Sequence, residues 1–201
     1  MTDIFNTTIP DIGRTYRILN FIKNSGELFI AIGKPTIWAT EYGLEVSDSN
    51  PPVPGSNIIE IPEPIIYKRI QRALPAIPST MCADLNLDID SNISKSLTQS
   101  NIEKSYVLFN VEDLFEEDGS VRLKPSHIYI SASIESEDYN ADSFRCIGLY
   151  NSVQLKGGVN DNKLVYTNNE ISVKALQWVS YSTPIERNTN KVHNIEILLQ
   201  I

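Results

Sequence analysis

The second half of the chain carries the pattern that most restricts its fold, because apolar and polar residues alternate there along a series of short segments. Between residues 126 and 135 every second side chain is apolar, and this set is Ile128, Ile130, Ala132 and Ile134. Alternation with a period of two is typical of a β-strand that buries one face. Further strands are predicted at residues 144–155, 163–167, 171–181 and 192–201. The turn signals between them are Gly157-Gly158, Asn168-Asn169 and Pro184-Ile185.

These segments predict a main β region at residues 102–201. Closely spaced strands separated by turn signals favour an antiparallel β-sandwich or a layered sheet. With 201 residues the chain is long enough to bury a core, and we expect residues 1–201 to form a single domain. The predicted fold class is mainly β (α+β), with an N-terminal amphipathic helix and long Pro-rich and polar loops.

The helix is predicted at residues 11–24. Its apolar residues recur at about 3.6-residue spacing, with Ile18 beside them, and this stripe is Ile12, Tyr16, Leu19 and Ile22. Asn24-Ser25-Gly26 is a stop signal, and Thr8 with Asp11 is a cap signal. We expect the stripe to cover one face of a sheet.

Residues 43–64 are predicted to form an extended Pro-rich arm. They contain Pro51, Pro52, Pro54, Pro62 and Pro64. Proline lacks an N–H and fixes φ, which excludes this segment from a central strand or a helix interior. The arm has few apolar residues, and we expect outside partners to supply most of its order. The bracketing of residues 65–73 by Pro64 and by Pro75 favours a strand between them.

The charge balance restricts the classes of partner. The chain has 17 basic and 25 acidic residues and a net charge of −8, which argues against nucleic acid as a partner. Neither a secretory signal nor an apolar run long enough to span a membrane is present, and we expect folding in a cytoplasm. Cys82 and Cys146 are expected to be two reduced thiols, with a single disulfide as the alternative.

The motifs that would indicate metal binding or catalysis are incomplete. Residues 84–90 alternate oxygen-bearing side chains like a calcium loop, but Ile89 and Lys95 occupy the positions that need Gly and Glu. The acidic residues between 112 and 118 are expected to form a surface turn. His127 and His193 lack an accompanying nucleophile or metal motif. We therefore predict no enzyme activity, no cofactor and no metal.

The tryptophans each allow two interpretations. Trp38 and Trp178 are either exposed anchors for a partner or residues of the core whose indole N–H finds a carbonyl. The candidate interaction residues are Trp38, Pro51, Pro52, Pro54, Trp178 and Tyr181.

Four motifs, in their order along the chain, carry a resemblance to a known family. Residues 27–40 read ELFIAIGKPTIWAT, a strand of the form F-I-x-x-G-[KR]-x-x-x-W directly after the predicted helix. The other three are Phe144-Arg145-Cys146-Ile147, Pro184-Ile185 and the terminal strand at residues 194–199. The chain thereby resembles a baseplate wedge subunit of contractile-tailed phages, the T-even eighth-gene family. The likeness covers roughly half of the chain, and the middle is shorter here.

The resemblance implies a structural subunit of a virion, located in the tail baseplate and assembled in the host cytoplasm. It implies other wedge subunits around the tail tube as partners, and a homodimer within the wedge. The alternative is a carbohydrate-binding β-sandwich module of a tail fibre or adhesin. That alternative depends on an open aromatic face, for which the candidates are Tyr129, Tyr150, Tyr166, Trp178 and Tyr181.

Overall fold

A computed structural model describes residues 11–39, 45–84, 106–188 and 192–201. The helices are α1 (Asp11–Lys23) and α2 (Ser79–Asp84). The strands are β1 (Phe29–Gly33), β2 (Pro64–Arg69), β3 (Arg72–Pro78), β4 (Tyr106–Leu108), β5 (His127–Ile134), β6 (Ser143–Leu155), β7 (Val165–Tyr166), β8 (Ile171–Glu186) and β9 (His193–Gln200). They form a five-stranded sheet, β7-β2-β1-β6-β8, and a four-stranded sheet, β4-β3-β5-β9. The prediction of a mainly antiparallel β fold with an N-terminal helix is confirmed.

The described residues divide into two compact units. Of the described residues, the first unit contains 11–24, 72–84, 106–131 and 196–201, and the second contains 25–39, 45–71, 132–188 and 192–195. Each unit is built from separate segments of the chain, and the boundary falls inside β5 and inside β9. The single domain expected from the sequence therefore stays a prediction.

In the first unit, α1 packs against β3. Thr15 and Ile18 are fully buried, and Leu19 contacts a cluster of apolar residues under the helix. That cluster is Ile77, Phe109, Leu114 and Leu123. Leu19 therefore lies on the docked face, as predicted.

The rest of the predicted helical stripe is only partly correct. Ile12 and Tyr16 are 53% and 52% exposed. At about 100° per residue they lie roughly 120° and 160° around the helix from Ile18, too far to reach the sheet with it. The buried face is thus centred on Ile18, and the 3.6-residue spacing alone did not identify that centre.

The four-stranded sheet carries an apolar cluster on each of its faces. Ile77 belongs to the cluster under α1, whereas the preceding residue, Ala76, belongs to a second cluster with Leu108 and Tyr129. Successive residues of a strand point to opposite faces, so the two clusters lie on opposite sides of β3. Tyr129 was expected on the polar side of β5. It is instead buried, and its hydroxyl donates to Glu196 Oε1 at 2.7 Å.

The second unit is built around β1. This strand pairs with β2 on one side and with β6 on the other, and all five of its residues are buried. A continuous apolar run such as residues 28–32 is typical of a strand that is buried on both faces, and β1 is such a strand. The core of the unit contains an aromatic group in which Phe29 meets Tyr166 edge-on at 5.7 Å and Tyr67 meets Tyr150 at 5.3 Å.

Two prolines that were expected to end strands lie inside them. Pro75 lies in the middle of β3, where its carbonyl accepts from Phe109 N–H. The single strand predicted at residues 65–73 is instead two strands, since β2 ends at Arg69 and β3 begins at Arg72. Pro184 lies inside β8 rather than in a turn. Among the described strands, β8 pairs only with β6, and a strand at the edge of a sheet tolerates a missing N–H.

Candidate interaction site

The family-like segment after β1 makes a tight backbone contact with the end of the Pro-rich arm. A Cβ at Gly33 would lie 2.6 Å from the carbonyl oxygen of Pro62, which leaves room only for glycine. The next residue, Lys34, has φ of 57°, and its N–H donates to the carbonyls of Pro62 and Glu63 at 3.0 and 3.1 Å. Glycine followed by a left-handed residue thus joins the arm to the end of β1.

The side chain of Lys34 strengthens this junction. It is 2% exposed, and its Nζ donates to Glu63 Oε1 at 2.5 Å and to Thr36 Oγ1 at 2.7 Å. Burial would raise the pKa of Glu63, but the hydrogen bonds from Lys34 and Thr36 prevail and lower it. The carboxylate is therefore held ionised against a buried ammonium group.

A second buried ion pair fixes the start of the arm. Arg145 is 5% exposed and binds Asp48 through two hydrogen bonds of 2.7 Å, from Nε to Oδ1 and from Nη2 to Oδ2. Its Nη1 donates to the carbonyl of Pro35 at 2.7 Å and to Ser143 Oγ at 3.0 Å. The hydrogen bond from Arg145 lowers the pKa of Asp48. This is the bidentate geometry in which arginine binds a carboxylate most strongly.

Trp38 lies in the same cluster. Its backbone N–H donates to Asp48 Oδ1 at 3.0 Å, and its indole Nε1 donates to the carbonyl of Ser182 at 2.9 Å. The indole is 3% exposed and lies 4.9 Å from the ring of Tyr181. This burial favours the core interpretation of Trp38 over that of an exposed anchor. Trp178 and Tyr181 are half-buried.

The far end of the arm is held by the core and by a third ion pair. Ile61 is 2% exposed, and its N–H donates to the hydroxyl of Tyr150 at 2.9 Å. Lys174 Nζ donates to Glu60 Oε1 at 2.5 Å and also binds the hydroxyl of Tyr67. All of these partners belong to the second unit, so contacts within the same unit hold the arm at both ends. This differs from the expectation that outside partners supply most of its order.

The middle of the arm faces solvent. Val53 is 90% exposed and Ile59 is 85% exposed, while Pro51, Pro52 and Pro54 are half-buried. The structure thus places the three predicted prolines together on one anchored loop, and it places Trp38 in the core beside the anchor.

Sequence reasoning missed the charged residues that hold the arm. They are Lys34, Asp48, Glu60, Glu63, Arg145 and Lys174. Lys34 and Arg145 belong to the motifs that carry the family resemblance, but those motifs do not indicate that either residue binds the arm. Asp48 and Arg145 are 97 positions apart, so no local pattern links them. The one available signal was the acidic residues interspersed among the prolines.

The aromatic residues proposed for a sugar-binding face do not form one. Tyr129, Tyr150 and Tyr166 are buried in the cores of their units. Only Trp178 and Tyr181 keep part of their surface in solvent. This removes the main support for the carbohydrate-binding alternative.

The groups considered for metal binding or catalysis are separated or inert. Among the described residues no three His, Cys, Asp or Glu side chains gather as a metal site, and residues 85–90 lie outside the described chain. His127 Nδ1 lies 2.8 Å from the hydroxyl of Ser126. Cys146 is a free thiol, and burial raises its pKa to about 12. The Cys82 side chain lies outside the described part.

The predicted acidic turn at residues 112–118 is a surface loop. It begins with a short 3-10 helix, Glu112–Leu114, and continues to a bridge between Phe115 and Val121. Asp118 accepts from Ser120 N–H at 2.9 Å within this turn. Among the described helices, none has the length and apolar character needed to cross a bilayer.

The fold and this site define a β-rich protein in which ion pairs between largely buried cations and partly exposed carboxylates hold a surface loop in place. A family model described as "Baseplate wedge 3 tail fiber network component" matches residues 7–201. The chain belongs to this family of phage baseplate wedge proteins. It is also similar to "Virion protein 3" of Enterococcus phage phiEF24C, with 23% identity over 154 residues, covering 77% of this chain and 73% of that protein.

Membership in this family confirms the resemblance to a baseplate wedge subunit. The protein is a structural component of a phage virion, located in the baseplate, where it assembles with other baseplate proteins.

Proposed function

We propose that this protein is a non-enzymatic wedge subunit that assembles with other wedge proteins around the tail tube. The observation that supports this most directly is the use of its buried charges. Lys34, Arg145 and Lys174 each bind an acidic residue of the arm, and these groups hold a surface loop in place. Catalytic charges are usually arranged around a reacting group instead.

The contact residues belong to this proposal. Pro51, Pro52 and Pro54 lie half-buried on the anchored arm, on either side of the 90% exposed Val53. Trp178 and Tyr181, which are half-buried on β8, are two further candidate contacts. They lie three residues apart in a stretch of regular pairing and therefore point to opposite faces of the sheet. A homodimer within the wedge is also proposed, and light scattering of the purified protein tests it directly.

The wedge role is tested by complementing a phage that lacks this gene with a tagged copy. We expect the tag to appear in virions, at wedge positions next to the tail tube in electron cryomicroscopy reconstructions. Normal baseplates in the absence of the protein, or a tag located elsewhere in the virion, would contradict the proposal.

The non-enzymatic role is tested with the purified protein on peptidoglycan, polysaccharide and ester substrates. We expect no turnover. Hydrolysis that is abolished by His127→Ala or by His193→Ala would show that the protein is an enzyme.

A further inference from the structure

The exposed part of the arm has an unusual backbone. Residues 51–54 read Pro-Pro-Val-Pro, so Val53 supplies their only backbone N–H. Asn50, Pro51 and Val53 each precede a proline, which disfavours helical geometry at these residues and favours an extended, polyproline-like conformation. The segment belongs to no strand or helix, and no backbone hydrogen bond joins it to another described residue.

The exposure of this segment does not result from a loose attachment. Asp48 lies three residues before Pro51 and is held by the two bonds from Arg145. Ser47 and Asn50 exchange two backbone hydrogen bonds, of 3.1 and 3.0 Å, just ahead of the prolines. At the other end, Glu60 and Ile61 are fixed to Lys174 and to Tyr150. A segment that is already ordered loses little conformational entropy when it binds.

The side-chain chemistry narrows the kind of partner. Val53 is 90% exposed, between prolines that are only half-buried. A single exposed apolar side chain is common on protein surfaces, but on a segment that is already held in place it offers an apolar contact at a small entropic cost. The charged neighbours Asp48 and Glu60 are already paired within the protein. They supply no free charge for an electrostatic contact, which favours an apolar groove as the complement.

The backbone of the proline segment also restricts how a partner can bind it. A partner strand cannot extend a ladder along three prolines, because they offer no N–H donors. Their carbonyls still accept hydrogen bonds. Grooves that recognise polyproline-like segments combine aromatic side chains with side-chain donors such as Trp Nε1–H or Tyr O–H.

We infer that Pro51–Pro54 is a preformed polyproline-type ligand, with Val53 as its anchor, that inserts into an aromatic-lined groove of another baseplate subunit. This inference rests on the proposed wedge function and names the chemistry of the contact. The half-buried Trp178 and Tyr181 on β8 are not needed for it.

The test uses full-length protein in the complementation assay. The variant is Val53→Asp, and the matched control is Leu164→Asp, an equally drastic change at a site that is 65% exposed in the same unit. We expect Val53→Asp to lower the copy number in virions about tenfold or more, as for a central interface residue, and the control to stay near wild type. Both purified variants should unfold at the temperature of the wild type.

A second variant separates a polyproline ridge from an added β-strand. In Pro51→Ala/Pro52→Ala/Pro54→Ala the apolar anchor stays while the backbone gains freedom and N–H donors. A polyproline-type ligand loses rigidity, and incorporation should fall about threefold or more. Equal or higher incorporation of this variant would contradict the polyproline mode.

The partner is identified by placing a photo-cross-linking amino acid at position 53 and irradiating intact virions. We expect one baseplate protein to be cross-linked, through a peptide containing Trp or Tyr. Wild-type incorporation of Val53→Asp, or equal loss with Leu164→Asp, overturns this inference while leaving the wedge role intact. Absence of the wild-type protein from baseplates would instead overturn the proposed function itself.

Discussion

Replacement of Asp48 by asparagine measures how strongly the arm is held. Asp48→Asn keeps the size of the side chain but removes the charge that faces Arg145 Nε and Nη2 at 2.7 Å. The Arg145 side chain is 7% exposed and keeps the carbonyl of Pro35 and the hydroxyl of Ser143 as partners. The asparagine oxygen can accept one of the two lost bonds, but its NH2 group faces the other guanidinium N–H and no negative charge remains. Removing one partner of a fully buried pair costs about 3–5 kcal/mol.

Asp48 retains 31% of its side-chain surface in solvent, so part of this cost is relieved by water. We therefore expect a loss of about 2–3 kcal/mol from the free energy of unfolding of the second unit. For a protein of this size that corresponds to roughly 4–12 °C in Tm. Trp38 and Trp178 are the two tryptophans of the chain, and both lie in the second unit. Urea titration followed by tryptophan fluorescence therefore reports on that unit.

The matched control is Glu116→Gln. Its partner Arg122 lies at 3.7 Å, and both side chains are more than half exposed, so the change should stay within about 0.5 kcal/mol. The pH dependence supplies a second check. The pKa of Asp48 is lowered on folding from an ordinary value of 3.8, so its contribution is complete well above that pH and is lost as pH falls through the folded pKa.

The difference between wild type and Asp48→Asn should thus shrink on acidification below about pH 4. A difference that is independent of pH, or an effect no larger than that of Glu116→Gln, would refute the assigned role of this ion pair.

Three other predictions concern the core. Gly33→Ala should destabilise the second unit by about 2 kcal/mol or more, because the added Cβ would lie 2.6 Å from a carbonyl oxygen. Gly157→Ala is the control: nothing lies within 4 Å of its added Cβ, and the change should be nearly neutral in the same urea titration. Ile18→Asp should lower the free energy of unfolding by about 3 kcal/mol or more, because it buries an unpaired charge under α1. Asn20→Asp, on the exposed side of the helix, should change it little. Thermal unfolding followed by circular dichroism compares the two variants, and equal Tm values would contradict the docking of α1. Cys146 should stay unmodified by a thiol reagent in the native protein at pH 8, because it is buried and its pKa is raised to about 12. It should react after unfolding, and peptide mass spectrometry detects the modification. Rapid labelling of the native protein would show that its strand opens.

The strands that bury one face, or both, were predictable from local patterns. The continuous apolar run of β1 matches a strand that is buried throughout, and the alternation in β5 matches its burial except at Tyr129, which is buried on the other face. The position of the helix in the sequence was predictable, but which of its faces packs on the sheet was not. Its stripe is broad, and the choice between Ile18 and Tyr16 as its centre depends on the sheet beneath.

The anchors of the arm were not predictable in the same way. Arg145 is 97 positions from Asp48, and Lys174 is 114 positions from Glu60. Such pairs exist only once the strands are assembled. Similarly, Pro184 was expected in a turn because local rules cannot tell an edge strand from a central one. The prolines of the arm were visible from the start, but what holds them was not.

The division of the chain between the two units has a consequence for biosynthesis. β9 is translated after every other described strand, and its residues are shared, His193–Ile195 in the second unit and Glu196–Gln200 in the first. Ile195 and Ile197 are both buried, so each unit lacks part of its core until this strand has emerged from the ribosome. Contacts between such distant segments form slowly because a long loop must first be closed. A nascent chain stalled before β9 should therefore expose the apolar edges of both units to chaperones and proteases.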